Sequence, residues 1–373
     1  FSIDTYLPSF PDIEAEFGVG RAVLAQSLAV YLVAFAVSTL AWGPLADRYG
    51  RRPVIFVSLV LYALASAGCA LAQDSAAFLA MRVLQGLAAS GGMIAGRAMI
   101  RDAHEAEAAH KAMSQVTLVF ALAPAIAPVL GGWLHDLAGW RSVFWFLAAL
   151  GVALFALALA AHETLPPSHR QSIHPVAVAR GYGRVLRHGV FLARVASLGA
   201  TFAGLFLFIA GAPTVLYDFL HLPATAFGYQ FIPMVVGMMM GSALSGRLAH
   251  RQPMARTVAL GFAVMGVAAL LEVVFAFALP PSIPGVVGPL VVYAFGLAIA
   301  MPALTILALD CFPKNRGMAA AGQGFVQMLV NAATAGLVLP LLQASLAHFA
   351  LGLAAFQVVA WWLWLGMGRR AAG

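Results

Sequence analysis

The sequence predicts an all-α membrane protein with twelve transmembrane helices in two six-helix repeats. Of its 373 residues, 62% are hydrophobic and 9% are charged, whereas a soluble domain carries about 25% charged residues. Apolar runs of about 20 residues, the length that crosses a bilayer, follow one another along the chain. The pattern Gly-x-Leu-Ala-x-Arg occurs at 43–48 and again at 246–251, which indicates two related halves.

Eleven apolar runs approach or exceed the length of a membrane span. We place them at 22–46, 53–72, 76–97, 112–134, 141–161, 190–217, 226–248, 254–279, 285–309, 316–342 and 346–367. Only Pro340 and a weakly polar stretch through His348 separate the last two runs.

Residues 1–11 make a twelfth apolar segment that is too short to cross a bilayer. We expect it to be the outer part of a first helix whose beginning precedes Phe1. Pro8 and Pro11 are then expected to end this helix before an acidic loop at 12–16. A short re-entrant segment is the alternative.

The longest polar gap, from His162 to His188, contains four arginines and four histidines and divides six spans from six. We therefore expect an N-terminal six-helix bundle at 1–161, with its first helix incomplete, and a C-terminal six-helix bundle at 189–373. The segment 162–188 between them is predicted to be a cytoplasmic linker near lipid headgroups.

The basic residues predict the orientation of the chain. If the loop at 47–52 is cytoplasmic, eighteen of the 21 Lys and Arg residues lie inside, Arg21 and Arg141 lie outside, and Arg82 lies within a span. This bias follows the positive-inside rule and predicts that both termini are cytoplasmic. Because the charges form short clusters between apolar runs, the net charge of +7 is interpreted as a topology signal and not as a nucleic-acid surface.

The sequence offers little that points to metal or enzyme chemistry. Cys69 and Cys311 are predicted to lie toward opposite membrane faces, so no disulfide is expected. The chain has no Cys-x-x-Cys, no zinc-type spacing, no His-Glu-x-x-His and no Walker-type loop. We therefore expect no metal and no cofactor, and an intramembrane enzyme is a distant alternative.

The first candidate functional motif is the charged hairpin after the second span. Its glycine and charged residues are Gly43, Asp47, Arg48, Gly50, Arg51 and Arg52. We expect Gly43 to end a span and to permit close helix approach. Asp47 is expected to bind a neighbouring arginine or the N-terminus of another helix. Contacts that form in only one conformation bias a two-state equilibrium, so the hairpin is a candidate gate, with a plain topology anchor as the alternative.

The second candidate is a charge inside a span. Arg82 lies roughly 9 Å from the outer end of its helix, where a charge costs about 2.5–3.5 kcal/mol on insertion scales. Gln85 shares its face, and Asp4 falls at nearly the same depth on the first helix. A carboxylate beside an arginine can bind and release a proton as water enters and leaves, so Asp4 and Arg82 are candidates for proton coupling. A static ion pair is the alternative.

The third candidate is the run from Ala123 to Gly132. Pro124 and Pro128 each remove a backbone donor, and Gly131 and Gly132 allow tight packing. These residues predict a bend or hinge in the run 112–134, the fifth helix when residues 1–11 are counted as the first.

Other polar and aromatic residues are candidates for a substrate pocket. Gln323, Gln327 and Asn331 recur at every fourth position of the run 316–342. There they would line a cavity or form hydrogen bonds to another helix. Tyr31, Phe208, Tyr217 and the methionines at 238–240 could shape an adaptable apolar pocket, with core or lipid contact as the alternative.

Two further carboxylates lie in or near the later spans. Glu272 falls inside the run 254–279, the ninth helix when residues 1–11 are counted as the first. Assistance to proton transfer and snorkelling are equally open there. Asp218 is near an outer helix end and is predicted to be solvated.

Together these motifs resemble the major facilitator superfamily, specifically its drug:proton antiporters. The hairpin at 43–52 is similar to the family loop between helices two and three. Arg82-x-x-Gln85-Gly86 is similar to the fourth-helix signature, and the run at 123–132 to the antiporter signature of the fifth helix. Ser2-Ile3-Asp4-Thr5-Tyr6-Leu7-Pro8 resembles the first helix of the bicyclomycin/chloramphenicol-resistance branch, often called Bcr/CflA-type.

The resemblance implies the major facilitator fold and a proton-coupled multidrug efflux transporter that exports small lipophilic compounds, such as antibiotics, by alternating access. Asp4 would carry the proton and contact substrate, Arg82 would couple protonation to conformation, and Asp47 would lock the cytoplasmic gate. Substrate contacts are expected from Asp4, Tyr31, Arg82, Gln85, Phe208, Tyr217, Gln323, Gln327 and Asn331. Gating is expected from Gly43, Asp47, Arg48, Gly50, Arg51, Arg52, Pro124, Pro128, Gly131 and Gly132.

The expected partners are a drug-like molecule, protons and the lipid bilayer, with the protein acting as a monomer. His250 replaces the aspartate in the second copy of the hairpin pattern, so the gate contact is expected to be one-sided. Export of an endogenous metabolite or sugar by the same mechanism is an alternative. Uptake by proton symport is another, against which the proline and glycine run at 123–132 argues.

Overall fold

The computed structural model describes residues 1–170, 175–249, 251–313 and 315–368. Within those ranges the chain forms helices joined by short turns, and no strand occurs there. His250, and the basic residues Lys314, Arg369 and Arg370 that entered the orientation count, lie outside the described residues.

The first half contains six α-helices. They are α1 (Phe10–Phe17), α2 (Arg21–Tyr49), α3 (Arg51–Leu71), α4 (Ser75–Ala103), α5 (Ala106–Ala138) and α6 (Trp140–Leu159). α4 packs against α2 and α3, and α6 packs against α3. Because the turns between α2 and α6 are short, successive helices run in opposite directions.

The described residues of the linker and the second half form eight more. They are α7 (Pro175–Leu186), α8 (Gly189–Ala210), α9 (Phe227–Leu248), α10 (Met254–Ala278), α11 (Ile283–Leu309), α12 (Arg316–Ala333), α13 (Leu339–Leu342) and α14 (Leu346–Leu363). A π-helical turn, Thr334–Val338, joins α12 to α13. α9 and α10 pack against α11, and α14 packs against α8. The halves meet where α2 contacts α12 and where α5 contacts α9.

Ten helical stretches of the described chain are long and apolar enough to cross a membrane. They coincide with ten of the eleven predicted spans, and the eleventh prediction, 112–134, lies within α5. Large apolar side chains such as Leu137, Leu157 and Trp362 are more than half exposed, as expected of surfaces that face lipid. The chain is a multi-pass membrane protein.

The N-terminal segment differs from its prediction. Residues 1–6 form a helical turn, in which Thr5 N–H donates to Phe1 O at 3.0 Å, and Pro11 lies in the first turn of α1 instead of ending a helix. Proline fits that position because the first turn needs no N–H donor. The predicted acidic loop at 12–16 is therefore helical, and Gly18 ends α1 with a left-handed φ of 61°.

The two ends of the helix bundle carry different groups. The acidic face carries α1 with Glu16, whose carboxylate binds Arg141 at 2.6 Å and accepts from Trp140 Nε1 at 2.7 Å. Both hydrogen bonds lower the pKa of Glu16. The linker face, at the opposite end, carries the turn between α2 and α3 and the segments 160–170 and 175–188.

Candidate functional site

Arg82 lies at the centre of a polar cluster in the first half, and its side chain is fully buried. Its Nη1 atom donates to the Ser2 carbonyl oxygen at 3.0 Å and to Gln85 Oε1. The guanidinium carbon lies 4.5 Å from the ring centre of Tyr6 and 4.4 Å from that of Tyr31. A desolvated cation–π contact contributes about 2 kcal/mol, so two aromatic faces help to offset the burial of this charge.

Hydrogen bonds tie the cluster to three parts of the chain. Gln85 Nε2 donates to Ser66 Oγ at 2.8 Å, and Ser66 Oγ donates to the Tyr62 carbonyl oxygen at 2.7 Å. The Tyr62 hydroxyl meets Ser2 Oγ at 2.6 Å. The network therefore joins the N-terminal segment, α3 and α4 around Arg82.

Gly86 explains why α4 can approach α2 so closely beside the cluster. A Cβ atom at Gly86 would overlap the Tyr31 carbonyl oxygen. Only glycine fits there without moving a helix, so Gly86 permits the close approach of α4 to the backbone of Tyr31.

Asp4 lies on the N-terminal segment, is partly buried, and is close enough to Tyr31 for an electrostatic interaction. The static ion pair between Asp4 and Arg82, which was the alternative to proton coupling, is absent from this conformation, since no described carboxylate lies within 4.0 Å of the Arg82 nitrogens. The Arg82 side chain is held by Ser2, Gln85 and the two rings instead. Its Nε and Nη2 atoms are buried and have no hydrogen-bond partner in the described chain.

The run from Ala123 to Gly132 on α5 lies between the Asp4 segment and the second half. A Cβ atom at Gly131 would overlap the Thr5 carbonyl oxygen, and one at Gly132 would lie 2.5 Å from the Ala224 carbonyl oxygen. The glycine pair thus contacts the residue after Asp4 on one side and the approach to α9 on the other. α5 remains helical through Pro124 and Pro128, and the predicted hinge stays a prediction.

Side-chain hydrogen bonds join the two halves at the acidic face. Arg21 Nη1 binds Asp218 Oδ2 at 3.0 Å, and Gln26 Nε2 donates to the Gly336 carbonyl oxygen at 2.7 Å. The Tyr217 hydroxyl donates to the Pro8 carbonyl oxygen at 2.6 Å. Asp218, predicted to be solvated, is 48% exposed and also forms an ion pair across the halves.

The charged hairpin lies at the linker face. Asp47 Oδ1 binds Arg51 Nη1 at 2.5 Å, and Arg51 Nε binds Asp102 Oδ2 at 3.0 Å, so α2, α3 and α4 are joined within the first half. Asp47 also faces Tyr182 of the linker helix α7, and burial together with this carboxylate raises the pKa of Tyr182.

Glu163 completes the hairpin, although no motif in the sequence marks it. Its carboxylate accepts the backbone N–H groups of Arg51 at 3.0 Å and Arg52 at 3.1 Å, so it binds the positive N-terminus of α3. Burial raises the pKa of Glu163, but backbone N–H donors from Leu165, Arg51 and Arg52, with Thr164, outweigh it and the net pKa is lowered. A carboxylate immediately after the sixth span was the only available signal.

Gly43 and the remaining arginines differ in role. Gly43 lies inside α2, which continues to Tyr49, and no atom would come within 4 Å of a Cβ atom there. The predictions that Gly43 ends a span and permits close packing are therefore wrong. Arg52 donates to the Leu159 carbonyl oxygen at 3.0 Å, and the Arg48 guanidinium carbon lies 5.3 Å from the Tyr49 ring centre.

The predicted substrate residues of the second half do not join the Arg82 cluster as one group. Phe208 is fully buried in α8, and its ring meets Phe349 edge-on with centroids 5.4 Å apart, so it belongs to the packed core. Gln323 and Asn331 are buried on α12, and their side-chain carbonyl oxygens have no hydrogen-bond partner in the described chain. Gln327 is partly buried on the same helix.

Tyr217 and the methionines at 238–240, which were also predicted to shape the pocket, lie outside the Arg82 cluster. The Tyr217 hydroxyl is committed to the acidic-face contact described above. Met239 and Met240 are 44% and 60% exposed on α9, which corresponds to the lipid-contact alternative.

An apolar groove of about 420 Å³ opens at the linker face. Its walls are the end of α2, with Val37, Leu40 and Leu45, and the linker helix α7, with Val178 and Tyr182. The groove gives an apolar molecule a place to lie between the first half and the linker.

Comparison with known proteins decides the family. The model of the Major Facilitator Superfamily matches residues 1–336. The chain belongs to the Major Facilitator Superfamily. The family and the fold together indicate a membrane transporter rather than an enzyme.

Curated relatives of this superfamily member span most of the chain. It is 28% identical over 343 residues to the MFS-type transporter YdgK of Bacillus subtilis (strain 168), covering 90% of this chain and 84% of the relative. It is 29% identical over 327 residues to the multidrug resistance protein MdtL of Escherichia coli, covering 87% and 81%. It is 29% identical over 248 residues to a bicyclomycin resistance protein homolog of Haemophilus influenzae, covering 66% and 62%.

Solved structures show the same fold at lower identity. A D-xylose–proton symporter aligns with a TM-score of 0.76 and 16% identity, covering 100% of this chain and 95% of that one. An inward-facing, unoccupied bacterial homolog of the human lysosomal transporter Spinster aligns with a TM-score of 0.70 and 16% identity, covering 97% and 92%. The predicted major facilitator fold is confirmed.

Proposed function

We propose that this superfamily member is a proton-coupled exporter of small lipophilic compounds, including antibiotics, in a bacterial inner membrane. The observation that carries the proposal is the buried Arg82, whose Nε and Nη2 donors are unpartnered beside the segment that holds Asp4. Resemblance to MdtL and to the bicyclomycin resistance protein homolog supports drugs as the cargo.

In the proposed cycle Asp4 carries the proton. When Asp4 is charged, its carboxylate can turn toward the two free Arg82 donors, since a buried arginine gains most from a charged acceptor. Protonation from the outer side removes that attraction, releases the substrate outward and permits the return inward. A membrane potential contributes about 2.3 kcal/mol per charge per 100 mV to this step.

The proposed orientation has the linker face toward the cytoplasm. It rests on the excess of Lys and Arg at that face. The side-chain bonds between the halves, Arg21 to Asp218 and Tyr217 to Pro8, lie at the opposite, acidic face. We infer that the conformation is closed toward the outside, so that a lipophilic substrate reaches the transporter through the apolar groove between α2 and α7.

The proposed gate is the hairpin with Asp47. In the conformation described, Asp47 binds Arg51 of the first half. We infer that closure of the linker face brings Asp47 toward the second half, as in the one-sided latch expected from the sequence. We infer that the two bundles, 1–161 and 189–373, rock about this linker and that the protein acts as a monomer.

Susceptibility of an efflux-deficient bacterial host to a panel of antibiotics and dyes tests the proposal. Wild-type protein is expected to lower susceptibility to several lipophilic compounds, and Asp4→Asn is expected to abolish protection at equal membrane abundance. Asp310→Asn, a change at an exposed carboxylate, is the matched control and should protect like wild type. Protection by Asp4→Asn equal to wild type would refute the role of Asp4.

A further inference from the structure

A second cavity lies at the acidic face, within the second half and away from the Arg82 cluster. Its volume is about 370 Å³, within the range of small-molecule sites, which begins at about 300 Å³. α10 contributes Glu272 and Phe275, the turn after α8 contributes Asp218 and Phe219, and the first turns of α11 and α14 close it.

Glu272 is the unusual group in this cavity. Its side chain is 3% exposed, and its Oε2 atom has no hydrogen-bond partner in the described chain. A buried carboxylate of this kind is costly unless it takes up a proton or pairs with a cation. The snorkelling alternative is therefore wrong for this conformation, because the carboxylate does not reach solvent.

No other described group that lines the cavity supplies a positive charge to Glu272. Asp218 is the one other charged residue of the lining, and it is already paired with Arg21 at 3.0 Å. The helix N-termini that border the cavity are capped by their own serines: Gly285 N–H donates to Ser282 Oγ, and His348 N–H donates to Ser345 Oγ.

The rest of the lining suits an apolar body that carries a charge. Phe219 and Phe275 offer aromatic faces, which attract cations within about 6 Å of the ring centre, and Leu279, Pro280 and Pro281 are apolar. The cavity thus combines one unpartnered carboxyl group, which in its ionised form can pair with a cation, with aromatic and aliphatic walls. The Arg82 cluster differs in charge, because its unpartnered groups are the N–H donors of a guanidinium cation.

We propose that this cavity is a second ligand site, which binds a monovalent lipophilic organic cation with its charge at Glu272. The site lies apart from the Asp4 and Arg82 cluster, and it attracts a ligand of the opposite charge. Binding there does not depend on proton coupling or on the direction of transport, so this proposal can fail or hold independently of the proposed export.

A cysteine-protection experiment on the full chain tests the proposal. Ala276 lines the cavity, and Ala276→Cys is made in a background with Cys69→Ala and Cys311→Ala. Tetraphenylphosphonium, a lipophilic cation, is expected to slow labelling of this cysteine by a maleimide. Tetraphenylborate, an anion of similar size and shape, is expected not to protect. Ala278→Cys, on the same helix but outside the lining, is the control position and should be labelled equally with and without either ion.

Two variants connect protection to the site. Glu272→Gln should raise the tetraphenylphosphonium concentration needed for half protection at least tenfold. Ala347→Trp should abolish protection by filling the cavity while keeping the carboxylate, and it provides a second test if Glu272→Gln fails to fold. Asp4→Asn should leave protection unchanged even where export is lost. Equal protection by both ions, or unchanged protection in folded Glu272→Gln, would overturn the proposal.

Discussion

The Glu163 carboxylate occupies the space that a side chain at Gly50 would fill. Gly50 has φ 105° and ψ 160°, a conformation that residues with a Cβ atom rarely adopt, and such an atom would overlap Glu163 Oε2. The glycine therefore allows the turn and also admits the carboxylate that caps α3. This pair connects the charged hairpin to the beginning of the linker.

Gly50→Ala should therefore destabilise the protein, because it combines backbone strain of about 1–3 kcal/mol with the loss of the α3 cap. The midpoint of thermal unfolding in detergent measures the effect. Gly43→Ala is the matched control, since a Cβ atom there has open space and a helical backbone. Equal unfolding midpoints for the two variants would contradict the assigned role of Gly50.

Glu163→Gln should lower stability near neutral pH by about 0.5–2 kcal/mol, the usual range for loss of an N-terminal cap. Because folding lowers the pKa of Glu163, its contribution is complete above the ordinary glutamate pKa of about 4.3 and is lost as the pH falls through the lower folded value. Unfolding midpoints of wild type and Glu163→Gln should therefore converge in acid.

Glu105→Gln provides the control for this pH dependence. Glu105 also lies at a helix N-terminus of the linker face, but its side chain makes no capping hydrogen bond. This substitution should change the unfolding midpoint little at any pH. If the unfolding midpoints of wild type and Glu163→Gln differ by the same amount in acid as at neutral pH, the charge of the carboxylate does not cause the stabilisation.

Gly131→Ala should disturb the contact between α5 and the Asp4 segment. The new methyl group would overlap the Thr5 carbonyl oxygen, and overpacking of this kind costs about 1–3 kcal/mol. Export should fall more than membrane abundance, because the displaced backbone is adjacent to Asp4. Gly96→Ala, where a Cβ atom meets nothing within 4 Å, should retain both.

Arg21→Ala should make the acidic face easier to open. It removes the ion pair with Asp218 and the bond to Thr214 Oγ1, at 3.0 and 3.2 Å, and a partly exposed pair is worth up to about 1 kcal/mol. The open population should therefore rise by up to about fivefold. Distances between spin labels on α1 and on the turn after α8 measure that population, and an unchanged distribution would argue against the closure assigned to this contact.

Helix positions were the most predictable part of the molecule. The length and hydropathy of each apolar run predict a spanning helix directly, so the predicted span at 254–279 and the observed α10 (Met254–Ala278) differ by one residue. The N-terminal segment was harder, because Pro11 is compatible with either the end or the start of a helix. Its surroundings decide between the two, since Phe10 and Ile13 are buried against the bundle.

Side-chain partners could be predicted where they are close in sequence, and partners distant in sequence could not. The i, i+3 spacing placed Arg82 beside Gln85, and the bond between them is present. Capping of α3 by Glu163 joins residues more than one hundred positions apart, and no local pattern marks it. The Tyr6 and Tyr31 rings around Arg82 were likewise missed as its partners, because a charge inside a span first suggests an opposite charge.

Proton movement driven by substrate tests the central claim most directly. Purified protein in liposomes that contain a pH-sensitive dye is exposed to a substrate gradient, with wild type, Asp4→Asn and Asp310→Asn at equal reconstitution. We expect substrate-driven proton flux in wild type and Asp310→Asn, and flux at the level of empty liposomes in Asp4→Asn. Proton flux by folded Asp4→Asn at the wild-type rate would contradict the assignment of proton coupling to Asp4.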